Sequence, residues 1–261
     1  MFLRFVFFLT LSAFSAPTLA QDAATEDLFQ KGLAAYQNKQ FDQARENFSK
    51  LLREGQVSAN LLHNLALVEY QLDQKAMALA LWRKALSISP GFGPAKAGRT
   101  LLESQGQMRP LERDSVSLWW ARTLENLGIQ ELLMLTGVVL AIFGMLWIRY
   151  FAERRIALED QKPMPAFPGT AIVSAAVLLA ALGLVGMKVR DLLTVRATVV
   201  ASKVNIKSLP SDSAVALSDI SPGNEVQVRR HQDGWAQVRS GDGISGWIKD
   251  ADVYITSGVR L

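Results

Sequence analysis

Cysteine is absent from this chain of 261 residues, and histidine occurs only twice. The absence of cysteine excludes disulfides, thiolate metal ligands and a cysteine nucleophile. Charge of one sign is not concentrated either, because residues 21–108 carry 10 Lys/Arg against 9 Asp/Glu and residues 188–261 carry 10 against 8. Nucleic-acid binding needs a clustered positive surface, so we expect no nucleic-acid partner.

A reactive constellation is also missing from the sequence. No paired carboxylates, metal-ligand cluster or Ser/His/Asp set stands in a plausible context. The glycine-containing stretch at 91–98 follows a predicted helix rather than a strand and includes Pro94, which does not fit a phosphate-binding loop. We therefore expect no cofactor and no enzymatic activity.

Uncharged runs, by contrast, occur in three places. The first spans residues 5–14 and is followed by a Thr-x-Ala sequence that ends at Ala20. This pattern predicts a signal peptide over residues 1–20. An uncleaved anchor is the alternative, but the run is too short to span a bilayer comfortably, which favours cleavage.

The other two uncharged runs cover residues 132–148 and 163–187. Their length and close spacing predict a membrane hairpin with transmembrane helices at 129–148 and 167–187 and a loop at 149–166. Buried helices of a soluble protein are the alternative. We expect the helices to meet through small residues four apart, which let backbones approach closely; these are Gly137 with Ala141 and Ala176 with Ala180.

The orientation of the hairpin follows from two signals that partly conflict. Four cations in the loop, Arg149, Arg154, Arg155 and Lys162, predict a cytoplasmic loop by the positive-inside rule. Three cations after the second helix, Lys188, Arg190 and Arg196, oppose that assignment. The signal peptide decides the matter, since it exports the chain from residue 21 onward. Both soluble segments are then expected in the periplasm, anchored to the bacterial inner (cytoplasmic) membrane.

Residues 21–108 contain an internal repeat. Residues 25–58 align with residues 59–92, which gives the pairs Leu28/Leu62, Gly32/Ala66, Tyr36/Tyr70, Ala44/Ala78, Phe48/Trp82 and Leu51/Ala85. The pattern, closed by Pro90, resembles the tetratricopeptide repeat, a helix–turn–helix unit of about 34 residues. Two repeats are followed by a predicted capping helix at 94–104, whose expected buried side is Ala95, Ala97, Leu101 and Leu102.

The resemblance implies a solenoid with a concave surface lined by the first helix of each repeat. The residues expected to be exposed there, and to bind a partner, are Lys31, Ala35, Asn38, His63, Leu67 and Gln71. Residues 109–128 then predict an amphipathic juxtamembrane helix, with Trp119 and Trp120 on its apolar face, that lies on the outer leaflet. A linker helix packed against the repeats is the alternative.

Residues 188–261 alternate short strand and turn signals, which predict a small all-β barrel. The turns are Pro222-Gly223-Asn224, Asp233-Gly234 and Asp242-Gly243. Together with Val204-Asn205-Ile206-Lys207-Ser208 and Gly246-Trp247-Ile248, they resemble a bacterial SH3 (SH3b) domain, a family of cell-wall and peptide recognition modules. Trp235 and Trp247 either stack on a ligand or serve the core. We expect His231 to be solvated.

The whole chain is thus predicted to be a multidomain membrane protein with an all-α tetratricopeptide solenoid, a two-helix transmembrane hairpin and a C-terminal all-β SH3-like barrel. This order of segments resembles the BatE-like proteins of the bacterial Bat (Bacteroides aerotolerance) group. The resemblance implies membrane-bound Bat partners with von Willebrand factor A domains, a linked MoxR-type ATPase, and a role in envelope stress or assembly. We expect a scaffold that binds proteins and the lipid bilayer; the alternative is a peptidoglycan attachment protein.

Overall fold

The computed structural model describes residues 19–105, 108, 111, 128–167 and 169–257. Residues 1–18 of the predicted signal peptide and nearly all of the predicted juxtamembrane helix, including Trp119 and Trp120, lie outside the described residues. The chain divides into two compact units, residues 1–56 and 57–261.

The first unit is a pair of helices, α1 (Leu19–Gln37) and α2 (Phe41–Arg53). The two pack closely because Gly32 has no side chain where they meet: a β-carbon there would lie 2.5 Å from Phe48 Cε1. Phe48 is fully buried, and its ring also contacts Phe29 at a centroid distance of 5.6 Å. A glycine facing an aromatic ring is therefore what fixes this helix pair.

The second unit begins with α3 (Ala59–Gln71), α4 (Lys75–Ile88) and α5 (Gly93–Ser104). Helix α3 starts at an N-cap, where the Ser58 hydroxyl accepts a hydrogen bond from Leu61 N at 3.1 Å. Helix α4 is buried on most sides, including Leu79, Leu81 and Trp82. It is the centre of this part of the unit.

The repeat seen in the sequence is also a repeat of the helices. In residue numbers, the last residues of α1 and α3 are as far apart as the first residues of α2 and α4. Both separations equal the shift that aligns residues 25–58 with residues 59–92. The turns within the two pairs repeat as well, since Lys39 and Asp73 both have a φ of 59°. The first residue of α5 follows the first residue of α3 by the same number of residues. Helix α5 therefore occupies the position that the first helix of a third repeat would have.

Helix α5 buries a narrower face than its sequence predicts. Ala95 and Leu102 are buried, but Leu101 is 48% exposed and Ala97 is also exposed. The reason is Gly98, where a β-carbon would lie 2.3 Å from the Trp82 ring. Because Trp82 seats on Gly98, the buried stripe is Ala95, Gly98 and Leu102, at spacings of three and four residues. The expectation that Ala97 and Leu101 are buried was wrong.

Two long apolar helices follow, α6 (Ile129–Glu159) and α7 (Gly169–Leu193), and they pack against each other. Both are long and apolar enough to cross a membrane, and only 11% and 6% of their most apolar windows are buried. A core helix of a soluble protein would be mostly covered. The exposed apolar surface of this pair includes Met134, Ile142, Val173 and Leu179.

Helix α6 does not end at residue 148 but continues to Glu159. Residues 149–159 contain no Gly or Pro, and the i,i+4 ion pairs Arg149–Glu153 and Arg155–Glu159, each 2.9 Å long, stabilise the extension. At about 1.5 Å per residue the helix is longer than a hydrocarbon core of about 30 Å. The charged last turns therefore project beyond the apolar part.

The small-residue pairs do not form the contact between α6 and α7. Gly137, Ala141, Ala176 and Ala180 are all exposed, and a β-carbon at Gly137 would meet nothing within 4 Å. The buried small residue of α7 is Ala171, at 0% exposure. The expectation that the two pairs hold the hairpin together was wrong, because the helices meet along another face.

The C-terminal part is one antiparallel sheet of seven strands in the order β3-β2-β6-β5-β4-β1-β7. The strands are β1 (Arg196–Val199), β2 (Val204–Lys207), β3 (Ala216–Ile220), β4 (Glu225–Gln232), β5 (Trp235–Arg239), β6 (Ser245–Lys249) and β7 (Val253–Ser257). A short 3₁₀ helix, Asp250–Asp252, precedes β7.

Strands near the two edges of the sheet, β2 and β1, contribute side chains to the same hydrophobic core. The sheet is therefore curved so that these two strands approach each other. The core contains Val204 and Ile206 of β2 together with Ala197 and Val199 of β1. Asp233 and Gly234 connect β4 to β5 as a two-residue turn with φ values of 51° and 80°, which is the primed hairpin turn that Asp-Gly favours. The SH3-like sheet predicted from the sequence is confirmed.

Candidate interaction surfaces

The sequence-predicted partner-binding residues of the first helical pair differ in exposure. Lys31 is exposed and forms an i,i+4 ion pair with Asp27 at 2.5 Å. Asn38 is exposed in the turn before α2. Ala35 is only 4% exposed; the expectation that it lies on an open surface was wrong. It stands three residues after Gly32, on the face of α1 that packs against α2.

His63, Leu67 and Gln71 follow one another at intervals of four residues along α3, so they share one face of that helix. Leu67 is half-buried and Gln71 is exposed. His63 is half-buried because its Nδ1 accepts a hydrogen bond from Trp82 Nε1 at 3.0 Å and its ring packs edge-on against Phe92. Leu67 and Gln71 are therefore the accessible part of this face.

The bond from Trp82 fixes the state of His63. Since the indole N–H can only donate, Nδ1 must carry a free lone pair, and the imidazole is neutral. Burial lowers the pKa of His63 below its usual value of 6.5, which favours the same neutral form. His63 thus stabilises the contact between α3 and α4.

On the sheet, Trp235 and Trp247 lie on the face opposite the core. Lys207 is paired with Trp247, Trp247 with Gln237, and Trp235 with Lys249. Residues opposite each other, and residues two apart on a strand, point to the same side of a sheet. Both indoles therefore share the outer face, and neither belongs to the hydrophobic core cluster.

Trp235 is half-buried, and two lysine cations lie close to its ring. The Nζ atoms of Lys207 and Lys249 each lie 5.6 Å from the centre of its ring, within the range of a cation–π contact. Asp212 balances them, with a carboxylate oxygen 2.7 Å from Lys249 Nζ and 3.8 Å from Lys207 Nζ. The hydrogen bond from Lys249 lowers the pKa of Asp212, and the same bond raises the pKa of Lys249.

Trp247 is less accessible, at 5% exposure. The Arg230 guanidinium covers it, with Cζ 5.0 Å from the ring centre. The nearby connection from β2 to β3 carries apolar side chains that are open to solvent, Leu209 at 63% and Val215 at 71%. We call the set Trp235, Lys207, Lys249, Asp212 and Leu209 the tryptophan face; it can stack a flat or sugar-like ligand beside paired charges.

The other histidine, His231, is exposed as expected, and its Nδ1 lies 2.8 Å from Asp250 Oδ1. Burial raises the pKa of the nearby Asp252. His231 is near the end of the β4–β5 hairpin, whereas Asp252 is in the 3₁₀ helix before β7; neither belongs to the tryptophan face.

A buried arginine, which the sequence analysis did not single out, joins α4 to the barrel. The Arg83 side chain is 6% exposed. Its Nη1 donates to Thr198 Oγ1 and to the Gly223 carbonyl, both at 2.9 Å, and its Nη2 donates to Glu103 Oε1 at 2.9 Å. The sequence signal for it is a charged residue within a helix that is otherwise apolar on nearly every side.

The chain around Arg83 completes this contact, which we call the Arg83 junction: Arg83, Glu103, Thr198 and Gly223. Helix α4 packs on β1 and β7. Met108 lies against Gly223, where a β-carbon would be 2.4 Å from Met108 Cγ, and Gly223 has a φ of +83°. Further along, Leu111 N donates to Glu225 Oε2 at 2.9 Å. The helical segment and the barrel of the second unit are therefore one packed body.

The comparison with known families assigns the barrel. Residues 202–254 match the bacterial SH3 domain, a span that includes β2 to β6 and both tryptophans of the outer face. A comparison with curated proteins finds no match to the chain. The SH3 domain accounts for the barrel and is consistent with protein or peptidoglycan binding.

Proposed function

We propose that this chain is a non-enzymatic membrane-anchored adaptor that holds its helical repeats and its SH3 barrel together in the periplasm to bind partner proteins. The observation that carries the proposal is the Arg83 junction. It joins α4, which precedes the apolar hairpin, to β1 and β7, which follow it. A bilayer core is about 30 Å thick, so segments in direct contact belong on one side of it.

The predicted signal peptide and the cations at the far end of the hairpin, Arg149, Arg154, Arg155 and Lys162, favour a position of that side outside the cytoplasm. The aromatic residues at this end of the hairpin are consistent with a membrane interface there, since Trp147 and Tyr150 lie 6.0 and 5.6 Å from Phe167 between ring centres. Aromatic side chains of this kind concentrate at membrane interfaces. In this arrangement α6 and α7 anchor the chain in the inner membrane.

Partner binding is assigned to two surfaces. The accessible α3 face, Leu67 and Gln71, extends the tetratricopeptide resemblance, and the tryptophan face belongs to the SH3 domain. The order of segments supports a place in a Bat-type assembly with membrane-bound von Willebrand factor A proteins and a role in envelope stress or assembly. That assignment rests on the order of segments, since the family comparison covers the barrel alone.

The adaptor proposal is tested by isolating the full chain from its native membranes in mild detergent. We expect stoichiometric membrane proteins to accompany the wild type and to be lost from the variant Leu67→Glu/Gln71→Glu. Lys75→Glu serves as the control, because it reverses the charge of an exposed α4 residue whose ion pair with Asp73 is at the surface. Recovery of the chain without any partner, or equal loss in the control, contradicts the proposal.

A second function is favoured by Trp235. A half-buried indole beside Lys207, Lys249 and Asp212 suits stacking on a sugar ring or a short peptide, so the chain could instead attach to peptidoglycan. In that case the full chain in detergent co-sediments with purified sacculi, and Trp235→Ala weakens the binding while Lys203→Ala, at an exposed position outside the tryptophan face, does not. Equal sedimentation of all three proteins rules out this use of the tryptophan face.

A further inference from the structure

A groove with two arginines lies where helix α7 meets the barrel. Gly186, Val189 and Leu193 form its apolar wall, and Arg190, Arg229 and Gln227 form its polar side. It is separate from the tryptophan face and from the Arg83 junction. We propose that this groove binds the headgroup of an anionic phospholipid.

The position of the groove relative to the apolar run supports a lipid. The charge-free stretch of α7 ends at Met187. Arg190 follows three residues later, about 4.5 Å further along the helix axis at about 1.5 Å per residue. If α7 spans the bilayer, as the proposed function requires, Gly186 reaches acyl-chain depth while Arg190 stands at the level of the phosphates.

The second arginine of the groove, Arg229, is at an irregularity in the pairing of β4 with β5. Along the β4–β5 pairing, Val228 is opposite Val238 and Arg230 is opposite Gln237, so Arg229 has no partner in the register. A bulge of this kind re-aims a side chain out of the regular pattern. Arg229 is exposed and lines the same groove as Arg190.

The junction that carries both arginines is short and tied down. Helix α7 ends at Leu193 and β1 begins at Arg196. Val228 N donates to the Val195 carbonyl at 2.9 Å, and Arg196 forms an ion pair with Asp191. The groove is therefore held in place before any ligand arrives, which reduces the entropy lost on binding.

Charge complementarity selects the occupant. Within the described part of the chain, neither the Arg190 nor the Arg229 guanidinium forms an ion pair or a hydrogen bond, and no carboxylate lines the groove. A phosphodiester accepts charge-assisted hydrogen bonds from both guanidinium groups, and its acyl chains can follow the apolar wall. This use also accounts for cations that the positive-inside rule disfavours on this side of the membrane.

The test uses the full chain in mild detergent and measures bound lipid by native mass spectrometry, with phosphatidylglycerol and phosphatidylcholine offered at equal concentration. We expect the wild type to prefer phosphatidylglycerol. Arg190→Gln/Arg229→Gln should reduce that preference about thirtyfold, since each basic residue near a membrane surface contributes about fivefold. Arg190→Lys/Arg229→Lys should retain most of it because the charges remain.

The matched control is Lys203→Gln/Arg239→Gln, which removes two positive charges from exposed barrel positions outside the groove. We expect it to bind lipid as the wild type does. Unchanged preference in Arg190→Gln/Arg229→Gln, or equal loss in the control, overturns the inference. So does displacement of the lipid by soluble glycerol phosphate at the same concentration, because the site would then take a free phosphate.

Failure of this inference is distinguishable from failure of the anchor. Extraction of membranes with alkaline carbonate leaves a spanning protein in the pellet whatever lipid it binds. A chain released by carbonate contradicts the span of α7, whereas a chain that stays in the pellet without lipid selectivity contradicts the groove alone.

Discussion

Arg83 makes the buried hydrogen bonds that connect helix α4 to the barrel. Its guanidinium is buried and meets acceptors from three parts of the chain, Glu103, Thr198 and Gly223. A buried charge is costly to bring out of water, and removing one partner leaves the others without a donor. Substitution of Arg83 therefore tests whether α4 and the barrel are packed together.

We expect Arg83→Ala to lower the free energy of unfolding by about 3–5 kcal/mol, the range for removing one partner of a buried ion pair. Arg83→Lys should lose less, because it keeps the charge but not the forked geometry. Lys75→Ala, which removes an exposed ion pair on the same helix, should cost at most about 1 kcal/mol. Denaturant melts of the full chain in detergent measure all three, and equal costs would contradict the junction.

His63 gives the chain a predicted dependence on pH. Its pKa in the folded protein is lowered from 6.5 by burial, so the unfolded chain binds the proton more readily than the folded one. The associated stability is fully present above pH 6.5 and is lost as the pH falls below that value. Protonation at Nδ1 would also remove the acceptor of the Trp82 N–H.

The measurement compares unfolding at pH 7.5 and at pH 5 for the wild type and for His63→Gln, which keeps an acceptor but does not titrate. We expect the wild type to lose more stability than His63→Gln over this interval. His231→Gln, which changes the exposed histidine, should leave the wild-type loss in place. A wild-type loss that persists in His63→Gln would contradict the role of this residue.

At the scale of elements, α5 packs closely on Trp82 of α4 because Gly98 has no side chain. A β-carbon at Gly98 would lie 2.3 Å from the Trp82 ring, whereas one at Gly93, in the first turn of the same helix, would meet nothing within 4 Å. We expect Gly98→Ala to destabilise the protein by about 1–3 kcal/mol through overpacking. Gly93→Ala should be neutral or slightly stabilising. Thermal melts followed by tryptophan fluorescence separate the two, and equal effects would contradict the seating of Trp82 on α5.

The hairpin offers a second comparison within one helix. Ala171 is fully buried and Ala176 is exposed, although both are small residues of α7. We expect Ala171→Leu to destabilise the α6–α7 pair by about 1–3 kcal/mol, as overpacking does, and Ala176→Leu to have little effect. Unfolding of the full chain in detergent measures both. A larger effect at Ala176 would contradict this packing and support the contact through Ala176 that the sequence predicted.

Local pattern explains which of these elements were predictable. The Asp233-Gly234 turn, the period of the helical repeat and the uncharged runs are each written in consecutive residues, and each appears in the structure. Burial against another element is not local. Ala35 and Leu101 were misjudged because periodicity shows which side of a helix is apolar, without showing how much of it a neighbour covers. Arg83 and Thr198 are 115 residues apart, so no short motif links them.

At the scale of the whole molecule, two observations bear on which side of a membrane each part occupies. The Arg83 junction requires α4 and β1 to share a compartment, while the helices between them, α6 and α7, are apolar and mostly uncovered. The proposed double crossing of the bilayer, with a return to the starting side, accommodates both observations. The connection around Gln161 is then on the opposite side from the barrel.

The absence of cysteine makes this arrangement directly measurable, because a single introduced thiol is the only one in the chain. Gln71, Gln161 and Asp242 are exposed, so each can be replaced by Cys in an otherwise unchanged protein. In cells with a permeable outer membrane, a membrane-impermeant maleimide should label Gln71→Cys and Asp242→Cys, and label Gln161→Cys only after the inner membrane is opened. Labelling of positions 71 and 242 from opposite sides would separate α4 from the barrel, and the Arg83 junction, the hairpin and the adaptor proposal could not all stand.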